Sequence, residues 1–232
     1  MGWKYPQNSI GWYRKHFLIA KKDEGKAISI RFDGIFRNAQ VFCNGFYLGT
    51  EPSGYASQEY NVSEYLNYGG DNVIAVRCDA LTEEGWYYEG AGIYRDVWLI
   101  KKDANKHINN VFYTWKDGVI HIQVEATCDY RNTLYDHEGN MVAEGKETLT
   151  LNNPRLWSTD DPYLYTLKTS TIGGEDAVMT KVGLRTLTFD AKEGVKLNGE
   201  TFKFKGVNLH LDHAGVGTAV TKELWIYRIN KL

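Results

Sequence analysis

The chain is divided into short runs of alternating character, with turn signals between them. Val119–Ala126 shows this most cleanly: Ile120, Ile122, Val124 and Ala126 fall on one side, and His121, Gln123 and Glu125 on the other. A period of two belongs to a half-buried β-strand, whose successive side chains point to opposite faces. Asn44-Gly45 follows the run at 40–42, and Asn198-Gly199 separates 195–197 from 201–204. Both dipeptides accept two consecutive positive φ angles, the geometry of a tight hairpin. Further turn clusters stand at 68–72, at 136–140, at Asn153-Pro154 and at Asp161-Pro162. A chain punctuated at this spacing predicts antiparallel sheets packed face to face rather than alternating strands and helices.

The remaining strand signals are the runs at 12–19, 27–32, 73–78, 96–100, 149–151, 163–171 and 185–189. A short charged linker, Lys101-Lys102-Asp103, ends the first block, a second begins near Ile108, and a third near Glu193. In the third block, KFKGVNLHLDHAGVG (203–217) reads as a strand running into a glycine-punctuated loop. Thr221 then caps a predicted helix, TKELWIYRINKL, in which Trp225, Ile229 and Leu232 share a face. The 232 residues suffice for two small domains with real cores, and an aromatic content of 14% suits short, well-packed strands.

Composition removes several functional classes. A net charge of −2 gives no electrostatic footprint for nucleic acid. No run of about eighteen apolar residues exists, so no membrane-spanning helix is expected. The opening MGWKYPQNSIGWYRK lacks the apolar stretch of a signal peptide. The expectation is a cytoplasmic protein, or one whose true N-terminus lies further upstream and directs it elsewhere. Cys43, Cys78 and Cys128 have neither the number nor the spacing of a disulfide framework or zinc site, and read as small hydrophobes. Asn61-Val62-Ser63 matches a glycosylation acceptor, but without a secretory signal a cap on a short turn is the better reading.

Three motifs carry a resemblance. GWYRKHF (11–17) with FDGIFRNAQVFCNGFYLG (32–49), EGWYYEGAGIYRDVWL (84–99), and NPRLWSTDDPYLYTL (153–167) with VGLRT (182–186) occur in this order. Together with KGVNLHLDHAGVGTAV (205–220), the chain resembles glycoside hydrolase family 2, the β-galactosidase and β-glucuronidase superfamily. The resemblance implies a mainly β fold. A jelly-roll-like sugar-binding β-sandwich would occupy 1–103 and an immunoglobulin-like β-sandwich 104–190. The first strand and helix of a truncated (β/α)8 barrel would occupy 191–232. Two departures stand out. Only ten residues precede the GWYRK strand, and the interval between Ala126 and Leu149 looks short by a strand or a loop. Both ends read as cut.

The resemblance also places candidate residues. His210 falls where the family has a histidine facing the sugar subsite. The plain alternative is a hydrogen-bonded histidine at a strand end. Asp212, two residues on, would share its face and orient it or contact sugar; the alternative is an aspartate that starts a loop. His210, Asp212 and His213 make a poor metal set, since no further ligand is evident. Glu84 matches an acidic residue that reaches the sugar pocket, and Glu89 matches less well. Trp86, with Tyr87 and Tyr88, would stack on a pyranose, although large aromatics more often pack between domains. Arg95-Asp96 and Asp160-Asp161 read as structural pairs or turns.

In a retaining glycosidase two carboxylates stand about 5–5.5 Å apart, one as acid/base and one as nucleophile. The family's pair are glutamates on later barrel strands, so the resemblance places no catalytic residue in this chain. The expected function is the N-terminal part of a retaining enzyme acting on β-glycosides, a β-galactosidase first, inactive in isolation. The alternative is a stand-alone carbohydrate-binding β-sandwich module. No organic cofactor is implied; a magnesium or sodium ion in the full-length enzyme is compatible with the family, and its ligands are not written here. The expected partners are a carbohydrate substrate and, for the full-length protein, further copies of itself.

Overall fold

The computed structural model describes residues 9–81 and 91–232. The chain divides into two compact units: Met1–Lys101 with Val207–Leu232, and Lys102–Gly206.

The first unit opens with β1 (Ile10–Leu18), β2 (Lys26–Phe32), β3 (Ile35–Phe36), β4 (Ala39–Cys43) and β5 (Phe46–Glu51). There follow β6 (Gln58–Asn61), β7 (Asp71–Asp79), β8 (Gly92–Ile93) and β9 (Val97–Asp103), the last of which carries the chain into the second unit. Four strands form one sheet in the order β1-β7-β4-β5, three form another in the order β6-β2-β9, and β3 pairs with β8. The alternation sends Ile28, Ile30 and Phe32 of β2 into the same core as Val41 and Cys43 of β4 and Ile74, Val76 and Cys78 of β7. The two larger sheets therefore close on each other as a sandwich.

The Asn44-Gly45 hairpin forms as expected, with φ of 48° and 87°. Asn44 also ties the turn to the next sheet strand. Its amide donates to the Tyr65 carbonyl at 2.7 Å and to Asn72 Oδ1 at 2.8 Å, and its Oδ1 accepts the Val73 N–H at 2.8 Å. Asn61 makes an Asx turn ahead of the 3-10 turn Ser63–Tyr65: its Oδ1 accepts the Ser63 N–H at 2.9 Å, while the N-cap position itself is Val62. Asp23, 3% exposed, is held between Lys26 at 2.7 Å and Lys101 at 2.6 Å, which draws its carboxyl down to about 2.

The second unit holds β10 (Ile108–Lys116), β11 (Val119–Ala126), β12 (Tyr130–Tyr135), β13 (Met141–Gly145), β14 (Thr148–Thr150), β15 (Tyr165–Thr171) and β16 (Ala177–Val182). Their orders, β10-β11-β14 and β13-β12-β15-β16, give a seven-stranded antiparallel sandwich. Ile120, Ile122 and Leu149 from one sheet meet Leu134, Tyr165, Leu167 and Val182 from the other in its core. Buried Asn132 is satisfied there, donating to the Lys146 carbonyl and accepting from the Thr169 hydroxyl. A meander of β17 (Leu187–Asp190), β18 (Gly194–Leu197) and β19 (Glu200–Thr201) follows, its second turn made by Asn198 at φ 52° and Gly199 at φ 86°.

Four expectations are corrected. The interval between Ala126 and Leu149 is not short of a strand, because β12 and β13 fill it and pair with each other. The run expected at 201–204 stops at Thr201. Residues 203–209 form no strand; a strand needs ladder hydrogen bonds, and among the described residues no strand pairs with this stretch. The C-terminal helix, α1, covers Lys222–Ile229, so Leu232 lies outside it, and Ile229 is exposed rather than part of a buried stripe. Its N-cap is as expected, with the Thr221 hydroxyl accepting the Leu224 N–H at 3.4 Å.

Candidate functional site

Glu84 and Trp86, with Tyr87, Tyr88 and Glu89, lie outside the described residues. His210 and Asp212 are described. Both are exposed, on a stretch without regular secondary structure that leads to α1.

Two local devices shape that stretch. His213 and Gly217 exchange backbone hydrogen bonds at 3.0 and 2.9 Å, folding 213–217 into a tight loop. Gly217 enters it at φ 58° and Gly215 at φ 91°, angles that favour residues without a Cβ. Arg228 then reaches back from the last turn of α1. Its guanidinium donates to the Asp212 carbonyl at 2.6 Å and lies over the Trp225 ring, 4.8 Å from its centroid. The helix thus holds the backbone of Asp212.

Several carboxylates of the described residues have structural work. Asp161 takes two hydrogen bonds from Arg155, at 2.7 and 2.8 Å, and its N–H donates to Ser158 Oγ at 3.0 Å. This is the turn expected before Pro162. Glu175 is drawn down to about 2 by the Lys106 ammonium, by its own backbone N–H and by the Thr171 hydroxyl. Asp129, Asp136, Asp190 and Glu223 are also lowered, by hydrogen bonds to their ionised forms. A general acid needs the opposite shift, produced by burial or by a like charge. Among the described residues, every carboxyl with a resolved shift moves down. At Arg95-Asp96 the bonds are structural as well: Arg95 lies over the Tyr94 ring and donates to the Asp33 carbonyl at 3.4 Å, while the Asp96 carbonyl accepts the Asp33 N–H at 3.0 Å.

An apolar cleft of about 490 Å³ opens in the first unit between β1 and β9, over Phe32, Ile74 and Val76. Tyr13 and Trp98 flank it, and Arg14 and Lys15 are its only charged lining residues. It has the lining of a core margin rather than of a catalytic pocket. A different cluster escaped the sequence reading. Trp12, Phe42 and Tyr47 form a row of rings with centroids 5.9 and 5.5 Å apart. Their pattern signal, aromatics on one parity of the strands around Asn44-Gly45, is plain only once the register is known.

Two β-sandwiches follow one another along the chain, and a three-stranded meander, a loop and a short helix come after them. Residues 4–103 match the family model described as glycosyl hydrolases family 2, sugar binding domain, and residues 103–185 match the model for glycosyl hydrolases family 2. The chain belongs to glycoside hydrolase family 2. It is 37% identical over 243 residues to "Beta-galactosidase BoGH2A" of Bacteroides ovatus, across 91% of this chain and 29% of that protein. It is 24% identical over 268 residues to a beta-glucuronidase of Formosa agariphila, across 93% of this chain and 27% of that one. The crystal structure of a family 2 member from Bacteroides cellulosilyticus superposes with a TM-score of 0.87 at 28% identity, covering 96% of this chain and 35% of that one. The chain therefore spans about a third or less of these relatives.

Proposed function

We propose that this chain is the N-terminal part of a retaining glycoside hydrolase acting on β-glycosides, with β-galactosides as the first candidate substrate. In this reading 1–103 is a jelly-roll sugar-binding domain, 104–190 an immunoglobulin-like domain, and 191–232 the start of the catalytic domain. The observation that carries it is the order of the two family 2 models along 4–185, with similarity to a beta-galactosidase continuing across 91% of the chain.

The chain's own contribution would be to shape one side of a sugar pocket. His210 would offer a ring nitrogen to a sugar hydroxyl, and Asp212 would orient it or accept a second hydroxyl. Glu84 and Trp86 would reach the same pocket from the first domain, one as a hydrogen-bond acceptor and one as a stacking surface. The proton transfer and covalent capture of a retaining mechanism need two closely spaced carboxylates with opposed pKa values. The carboxyls of Asp23, Asp161 and Glu175 are held below their usual range by cationic partners, which supports an accessory role. Exposed apolar side chains at the end of the chain support the same reading: Val207, Ile226, Tyr227, Ile229 and Leu232 are each at least 50% exposed.

The test is hydrolysis of p-nitrophenyl β-galactoside and β-glucuronide by a longer gene product that contains this chain. Release from the galactoside with retained anomeric configuration is expected. Inversion, or no turnover of either substrate by the folded longer protein, would sink the proposal.

A further inference from the structure

The outer face of the sheet β1-β7-β4-β5 carries chemistry that the pocket does not use. Register sets its composition. Val76 and Ile74 of β7 point into the core, so Arg77 and Ala75 point out. Trp12 lies opposite Arg77 and Arg14 opposite Ala75, which puts both on the outer face. Across the sheet, Gln40 is opposite Arg77, Phe42 opposite Ala75, Tyr47 opposite Phe42 and Thr50 opposite Gln40. Because Ala75 is small, the rings of Trp12 and Phe42 approach across it to 5.9 Å. Tyr47 extends the row at 5.5 Å, and its hydroxyl is hydrogen-bonded to Thr50 at 2.6 Å. Trp12 is 53% and Tyr47 55% exposed.

An exposed row of rings edged with polar groups marks a binding surface. Its scale and mixture select the ligand. A stable protein interface takes about 20–30 residues a side, with charge depleted from its centre. Here three rings cross the strands, and Arg14, Gln40, Arg77 and Thr50 alternate with them. That pattern fits a flat ligand with apolar C–H faces and hydroxyls at its edges. Charge narrows it further. His16 is paired with Asp71 at 2.6 Å and Arg77 with Asp79 at 3.0 Å, whereas Arg14 has no ion-pair partner among the described residues. We propose that this face binds an oligosaccharide along the Trp12–Phe42–Tyr47 row, with a uronate carboxylate seated at Arg14.

The test is calorimetric titration of the 232-residue protein with a galacturonic acid tetramer and, separately, with the neutral tetramer cellotetraose. Tighter binding of the uronate tetramer is expected, weakening as salt screens Arg14. Trp12→Ala and Tyr47→Ala should each weaken binding about tenfold. Arg14→Gln should bring the uronate tetramer down to the affinity of the neutral one. Phe112→Ala removes an exposed ring in the other unit and should leave both titrations unchanged. Absence of binding by the folded protein, or binding indifferent to Trp12→Ala and Arg14→Gln, overturns the proposal. So does a Trp12→Ala variant that changes the sedimentation coefficient of a protein that takes up neither tetramer, which would make the face a protein contact. None of these readouts depends on hydrolysis, so the proposal can fail while the family 2 enzyme reading stands.

Discussion

At the scale of single residues, Asp23 shows how a buried charge is kept. Its oxygens accept from Lys26 and Lys101, so both acceptors have a cationic partner. The two ammonium groups stabilise the ionised form more than burial penalises it, and the carboxyl falls to about 2. The linkage has a definite sign. A depressed folded-state pKa gives stability that is complete above the unfolded value, near 3.9, and is lost as pH falls toward the folded value. We predict that Asp23→Asn lowers the thermal midpoint at neutral pH, and that the gap to wild type narrows between about pH 4 and pH 2. Melting curves of the two proteins across this range check it; a gap that stays constant with pH would show that the pair of lysines does not set the effect.

At the scale of elements, the hairpins were the most legible part of the chain. Asn44-Gly45 and Asn198-Gly199 specify their turns locally, and both turns have the expected positive φ angles. At Gly45 an added Cβ meets nothing within 4 Å, so the φ of 87° alone penalises a side chain there. Gly45→Ala should therefore cost about 1–2 kcal/mol in urea denaturation, and an unchanged midpoint would contradict the turn assignment. Strands were less legible than turns. β16 reads AVMTKV, with no period of two in its sequence, and becomes a strand through its partner β15, whereas the run at 203–209 has no such partner. A period of two says that a segment can be extended; a ladder requires a neighbour, which no local pattern supplies.

The candidate residues divide along the same line. His210 and Asp212 were found through a motif, and the structure adds a fact the motif did not contain: Arg228 of α1 holds the Asp212 carbonyl. The Trp12–Phe42–Tyr47 row was hidden because it joins strands about thirty residues apart in sequence and depends on register. If α1 holds the loop, Arg228→Ala should speed amide exchange at His213 and Gly217, whose N–H groups are bonded within the loop. Exchange rates unchanged from wild type would show that the loop stands without the helix.

At the scale of the whole molecule, two antiparallel sandwiches, one of β1–β9 and one of β10–β16, match the two family 2 models in order. Their cores are separate, one holding Phe32, Val41 and Val76 and the other Ile120, Leu134 and Leu167. Asn132 and Asp23 inside them are satisfied by partners, and the carboxyls of Asp23 and Glu175 are held ionised by pairing. The most direct measurement follows turnover of p-nitrophenyl β-galactoside by the 232-residue chain alone beside a longer gene product that contains it. The account predicts no turnover by the chain and retaining hydrolysis by the longer protein. Turnover by the isolated chain, abolished by substitution of one of its own carboxylates, would contradict it.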